Sequence, residues 1–85
     1  MDYVIAVFSS RSESLSFSNL LKRMGVANMV VQTPKEAGKT CGLSVRFAHE
    51  FFSYAKQALA SYRFATFQGF YIPNNNGGQR GFVRR

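Results

Sequence analysis

The sequence predicts an α+β domain of the ferredoxin-like βαββαβ type: a four-stranded antiparallel sheet with both helices on one face. Three observations predict it. Apolar runs of strand character recur at residues 3–8, 27–32, 43–47 and 64–72. Two stretches with helical spacing, about 11–24 and 48–62, separate the first run from the second and the third from the fourth. The second and third runs are joined by a connector in which 35–40 form one helical turn or none. At 85 residues the chain makes one domain, set at 1–73, with 74–85 read as a flexible basic tail.

Tyr3 to Phe8 is β-branched or aromatic in five of six positions and reads as a central strand, stopped by Ser9 and Ser10. Ser10 with Glu13 fits a capping box. Ser14, Phe17, Leu21 and Met24 then follow helical spacing. The serines from Ser9 to Ser18 read as cap plus exposed helix face. Lys22 and Arg23 suit the negative end of the helix dipole, and Gly25 suits a left-handed C-terminal cap. Ala27 to Gln32 is the second strand, ended by Thr33-Pro34. In the third strand Leu43, Val45 and Phe47 face the core, and Ser44 and Arg46 face the other side. Phe51, Phe52, Ala55, Ala58, Leu59 and Tyr62 form the apolar face of the second helix. The last strand, 64–72, holds Gly69, a sign of a bulge or a close approach. Pro73 closes the domain, and the tail beyond it is ordered only if something holds it. This arrangement leaves one sheet face open, with Arg46 pointing onto it.

Composition narrows the function. Apolar content of 46%, with nine Phe and four Tyr, excludes disorder. A core this thin leaves homodimerisation open. One cysteine and one histidine, His49, exclude a Cys-rich zinc site, and no cofactor is indicated. A lone thiol fits a reducing compartment, and the acidic N-terminus with a six-residue apolar run is neither leader nor membrane span. The expected location is cytoplasmic. Net charge is +7, of which eight cations and four acids lie before Pro73. That excess suits an anionic partner or simple solubility.

The connector from Thr33 to Gly42 carries the chemistry. Gly38-Lys39-Thr40 resembles the end of a phosphate loop, but the glycine required five positions earlier is Thr33, and a strand follows instead of a helix. Cys41 is the better candidate. A thiolate is the nucleophilic form, and nearby cations lower a thiol's pKa from about 8.5. Lys35, Lys39 and Arg46 are near Cys41 in sequence, Thr40 offers a hydrogen bond, and Gly42 leaves room for a partner. The bland alternative is a small buried cysteine. His49, a whole strand away, is badly placed to serve as its base, and no carboxylate pair suits acid–base work. The chain reads as a carrier more readily than as a turnover enzyme.

The strand Tyr3-Val4-Ile5, the helix end Leu20-Leu21-Lys22-x-x-Gly25, Thr33-Pro34, and Cys41-Gly42-Leu43-Ser44-Val45-Arg46-Phe47 together resemble a small bacterial family of selenium/sulfur carrier-like proteins. The resemblance spans about residues 2–72 and leaves the tail outside. It implies that Cys41 is a carrier thiol, taking sulfane sulfur or selenium from a donor protein as a persulfide or selenosulfide and passing it to an acceptor. The connector Lys35-Glu36-Ala37-Gly38-Lys39-Thr40 departs from the family's usual apolar residue and serine. The better-known sulfur carriers have Cys-Pro where this chain has Cys41-Gly42.

The competing reading is a small nucleic-acid-binding or protein-adaptor module using the open sheet face and the basic tail. Cys41-Gly42-Leu43-Ser44-Val45 puts aliphatic residues where an RNA-recognition strand needs aromatics. Arg80-Gly81-Phe82-Val83 resembles a fragment of that motif. Phe70 and Tyr71 point to opposite faces, so one of them belongs to the open side.

Overall fold

The structure, a computed structural model, describes residues 3–38, 42–74 and 81–85. β1 (Tyr3–Phe8) runs through the centre of the sheet. α1 (Arg11–Arg23) starts at Ser10, whose hydroxyl accepts the Glu13 N–H at 3.4 Å. It ends in a Schellman turn. Gly25, at φ +83°, donates to the Lys22 carbonyl, and the buried Val26 donates to Leu21 at 2.8 Å. β2 (Asn28–Gln32) leads through a 3₁₀ turn at Lys35–Ala37 to β3 (Leu43–Ala48). A second 3₁₀ turn, His49–Phe51, opens into α2 (Phe52–Ser61), so the second helix begins later than its apolar spacing suggests. β4 (Phe67–Asn74) and β5 (Gly81–Arg84) complete the described chain.

All neighbouring strands are antiparallel, in the order β2-β3-β1-β4-β5. Among the described residues the sheet has five strands where four were expected. The extra one, Gly81–Arg84, lies within the segment read as a basic tail. Two things hold it: the ladder to β4 and Phe82, which packs into a core cluster. β4 also continues through Pro73, which was expected to close the domain. Its pairing with β1 ends at Tyr71, and because Phe70 accepts from Arg85, alternation turns Phe70, Ile72 and Asn74 toward β5, so the proline's missing N–H falls off the β4–β5 ladder. Gly69 bears out the expected irregularity. Its φ is +141°, the β1 register shifts beside it between Val7 and Phe8, and the Arg84 side chain lies where a Cβ would stand.

Alternation along β1 divides the core in two. Val4, Ala6 and Phe8 face both helices and join Phe17, Leu21, Val45, Phe47, Ala55, Ala58 and Phe70. The Phe8 ring meets those of Phe17, Phe64 and Phe67 at centroid distances of 5.1, 5.4 and 5.3 Å. Ile5, Val7 and Tyr71 point to the opposite face and form a second cluster with Tyr3, Val31, Ala37 and Phe82. That face was expected to be open. Instead Val7 is 0% exposed and Tyr71 is buried, because Ala37 of the connector and Phe82 of β5 lie against them. The protein's own side chains thus cover Ile5, Val7 and Tyr71 on this face. Ser14 and Ser18 are buried rather than part of an exposed face, each hydroxyl finding a partner: Ser14 donates to the Leu43 carbonyl at 2.8 Å, and Ser18 to Asn28 Oδ1 at 2.5 Å. Tyr62, assigned to the apolar helix face, is exposed. It sits past the end of α2 in extended backbone.

Candidate functional site

The connector between β2 and β3 is fastened at both ends. Thr33 donates its N–H to the Gly42 carbonyl at 3.0 Å, continuing the register that pairs Gln32 with Leu43. The Thr33 and Ser44 hydroxyls are bonded at 2.7 Å, and Ser44 is fully buried. Pro34 is buried and extended, with φ −61° and ψ 142°. The turn after it closes through Ala37 N–H to Pro34 O and Gly38 N–H to Lys35 O, both 3.0 Å. Gly38 then takes φ +81°, a conformation that suits glycine.

The connector is also braced from the far edge of the sheet. Ala37 packs in the second cluster with Phe82. Glu36 Oε2 lies so close to Gly81 that an added Cβ would stand 2.7 Å from it. Glycine at 81 is what allows β5 and the connector to approach.

Cys41, Lys39 and Thr40 lie outside the described residues. Of the other expected site residues, Lys35 and Gly42 belong to the fastened connector, and both are exposed. Open space lies where a Gly42 side chain would stand. Arg46 is elsewhere. It is four residues along β3 from Gly42, roughly 13 Å for extended chain. Its guanidinium sits 4.1 Å above the Tyr3 ring. Beside it is a hollow of about 260 Å³ lined by Tyr3, Ala27, Asn28, Met29, Phe47 and Ala48. His49 follows the end of β3, stacked on Phe52 with ring centroids 5.8 Å apart. Arg85 Nη1 contacts its Nε2 at 3.0 Å, and the same guanidinium covers Phe52 at 4.5 Å.

Reading the sequence missed the role of Glu13. Its carboxylate does not return to the Ser10 N–H as a capping box would. It accepts the Ala65 N–H at 3.0 Å, the Thr66 N–H at 2.9 Å and the Thr66 hydroxyl at 2.6 Å. Thr66 Oγ1 in turn accepts the Ser10 N–H at 3.2 Å. The Thr66 hydroxyl above all, with the two backbone donors, holds the Glu13 pKa below its ordinary value of 4.5 against the opposing effect of desolvation. The turn before β4 is thereby tied to the start of α1. A Ser-x-x-Glu pair signals only the local half of this arrangement.

The family described as "Putative Se/S carrier protein-like" matches residues 2–71. The chain belongs to that family. The matched span of this Se/S carrier-like domain runs from β1 into β4, includes the whole connector, and stops short of β5. No curated protein and no solved structure matches the chain. Among the described residues no helix is long and apolar enough to cross a membrane, and no three His, Cys, Asp or Glu side chains are grouped to hold a metal.

Proposed function

We propose that the protein is a sulfur or selenium carrier that works through Cys41. The observation that carries this reading is the family membership over residues 2–71, a span that includes the cysteine-bearing connector. The fastened ends of that connector support it, because a carrier thiol must be offered to two successive partners from a reproducible position. The first four strands, ordered β2-β3-β1-β4 with α1 and α2 against one face, we read as a ferredoxin-like sandwich that β5 extends.

The transfer is a thiol exchange in which nothing is oxidised or reduced overall. The Cys41 thiolate attacks the outer sulfur of a donor protein's persulfide. A new sulfur–sulfur bond forms at Cys41, the donor's own is broken, and the donor cysteine leaves as thiolate. An acceptor thiolate then repeats the step on the Cys41 persulfide, a reversible modification. Selenium in the same oxidation state travels as a selenosulfide. Lys35 and Lys39 favour the anionic forms by their charge, Thr40 is the neighbouring residue with a hydroxyl suited to hydrogen-bond them, and Gly42 gives a partner access. Arg46, a strand's length away and engaged with Tyr3, adds only a screened contribution. Such chemistry needs a reduced thiol and so suits the cytoplasm.

Intact-protein mass spectrometry after incubation with a cysteine desulfurase and cysteine tests the proposal. Wild type is expected to gain the mass of one sulfur, and Cys41→Ser none. Identical spectra for the two proteins would overturn it. The pH dependence of Cys41 alkylation gives a second readout, with a midpoint expected below ~8.5.

A further inference from the structure

We propose that β2 is a self-complementary edge through which two copies of the chain pair, β2 against β2, into one continuous antiparallel sheet. β2 ends the strand order, so among the described residues one of its sides has no partner strand. The side that faces outward follows from the ladder. The Thr33 N–H bonds the Gly42 carbonyl directly opposite, so 33–42 is a hydrogen-bonded pair. Alternation then makes 31–44 and 29–46 the bonded pairs of the β2–β3 ladder. The backbone groups of Asn28, Val30 and Gln32 therefore point away from β3.

A two-fold axis at Val30 uses all three. It sets Val30 opposite Val30 and Asn28 opposite Gln32 as hydrogen-bonded pairs, and Met29 opposite Val31 between them. Side chains match by face. Met29 and Val31 share the face of Arg46 and Ser44, while Asn28, Val30 and Gln32 share the helix side. The strand meets its own copy with apolar against apolar and amide against amide.

The exposed surface is apolar at the same place. Met29 is 60% exposed and Val30 37%. Leu15, 41% exposed, stands one helical turn from Ser18, whose hydroxyl bonds Asn28 of β2. Charge opposes a second copy least along this edge. β2 carries no charged residue on a chain of net charge +7. In the paired sheet the nearest strand cations, Arg46 and its copy, stand three strand spacings apart, about 14 Å and beyond a Debye length. The other edge, β5, is protected by Arg84 and followed by Arg85. Five residues of strand bury well under the ~800 Å² per partner of a stable complex, so the dimer is weak and forms only at high protein concentration. The two Thr33 residues, three positions past the axis on either side, lie roughly 20 Å apart, which keeps the connectors separate.

Sedimentation equilibrium of the full chain under reducing conditions tests this. Wild type is expected to pass from monomer toward dimer between ~10 µM and ~1 mM, more readily at high salt because the charge of the two chains is then screened. Val30→Lys is expected to remain monomeric throughout. Val83→Lys, which adds the same charge at the opposite edge, is expected to match wild type within about twofold. In a Cys41→Ser background, mild oxidation should cross-link Val30→Cys, whose paired Cα atoms would lie ~5.5 Å apart. It should leave Met29→Cys, two residues out of register with itself, largely monomeric. A wild type monomeric at ~1 mM, an equal loss of dimer in Val83→Lys, or cross-linking at Met29→Cys as efficient as at Val30→Cys would each overturn the proposal.

Discussion

Replacing Glu13 by glutamine tests whether one carboxylate ties the turn before β4 to the start of α1. Glu13 Oε1 accepts two hydrogen bonds, from the Thr66 N–H and hydroxyl, and Oε2 accepts the third from Ala65. Glutamine keeps an acceptor for Thr66 but turns an NH₂ toward the Ala65 N–H. One hydrogen bond to a charged group is lost and two become neutral. Ala65 is exposed and water replaces part of the loss, so the net cost is about 1 kcal/mol, rising to about 2 kcal/mol for Glu13→Ala. In a domain of this size those costs lower Tm by roughly 4–8 °C and 8–16 °C at neutral pH. The pH dependence identifies the cause. The Glu13 pKa is lowered in the folded chain, so its contribution is complete above the unfolded value of 4.5 and fades as pH falls through the folded value. Thermal melts of wild type and Glu13→Gln are expected to stay a constant distance apart above roughly pH 6 and to converge toward pH 3. A difference that persists unchanged to pH 3, or is absent at pH 7, would refute the reasoning.

Two further substitutions examine the remaining supports. Gly69→Ala forces a side chain into φ +141° and within 2.6 Å of Arg84 Nε. A cost of about 1–3 kcal/mol is expected in urea unfolding, only partly recovered by adding Arg84→Ala, because the backbone strain remains. Asn28→Ala removes an amide that accepts from Ser18 Oγ and donates to the Ser18 and Val26 carbonyls at 3.1 Å. It is expected to lower the urea midpoint by an amount equivalent to about 2 kcal/mol without changing the m-value.

The sequence makes some elements readable because their signals are local. β1 is a run of β-branched and aromatic residues stopped by serines. α1 has its cap at Ser10 and its terminator at Gly25, and both geometries appear as the residue types require. The direction of Arg46, away from the helix-side core, follows from alternation along β3, but its partner Tyr3 does not. Other features depend on contacts distant in the chain. Glu13 reaches residues 52 and 53 positions away, and nothing near it announces them. β5 is four residues long and follows Asn74-Asn75-Asn76-Gly77-Gly78, a tract that reads as turn. Its stability comes from β4 and from the cluster around Phe82. The covering of the second sheet face was illegible for the same reason. At the candidate site the sequence offers Cys41, the nearby lysines and the adjacent glycine as candidates. The fastening of Thr33 to Gly42 and Ser44 emerges only when β2 and β3 are set side by side.

The two faces of the sheet differ in what covers them. The helix side is sealed by α1 and α2, with α1 reaching across to β3, where Ser14 bonds the Leu43 carbonyl. The other face gathers Tyr3, Ile5, Val7, Val31, Ala37, Tyr71 and Phe82, almost the full span of the chain. Contacts that close such long loops form late in folding. A small cluster of partly exposed members is also the first to open from the native state. Hydrogen exchange is therefore expected to show the 3₁₀ turn at Lys35–Ala37 and β5 releasing together, at a lower free energy than β1 and α1. The connector that bears the thiol thus has a local stability of its own, governed by Ala37 and Phe82 and separable from that of the helical core.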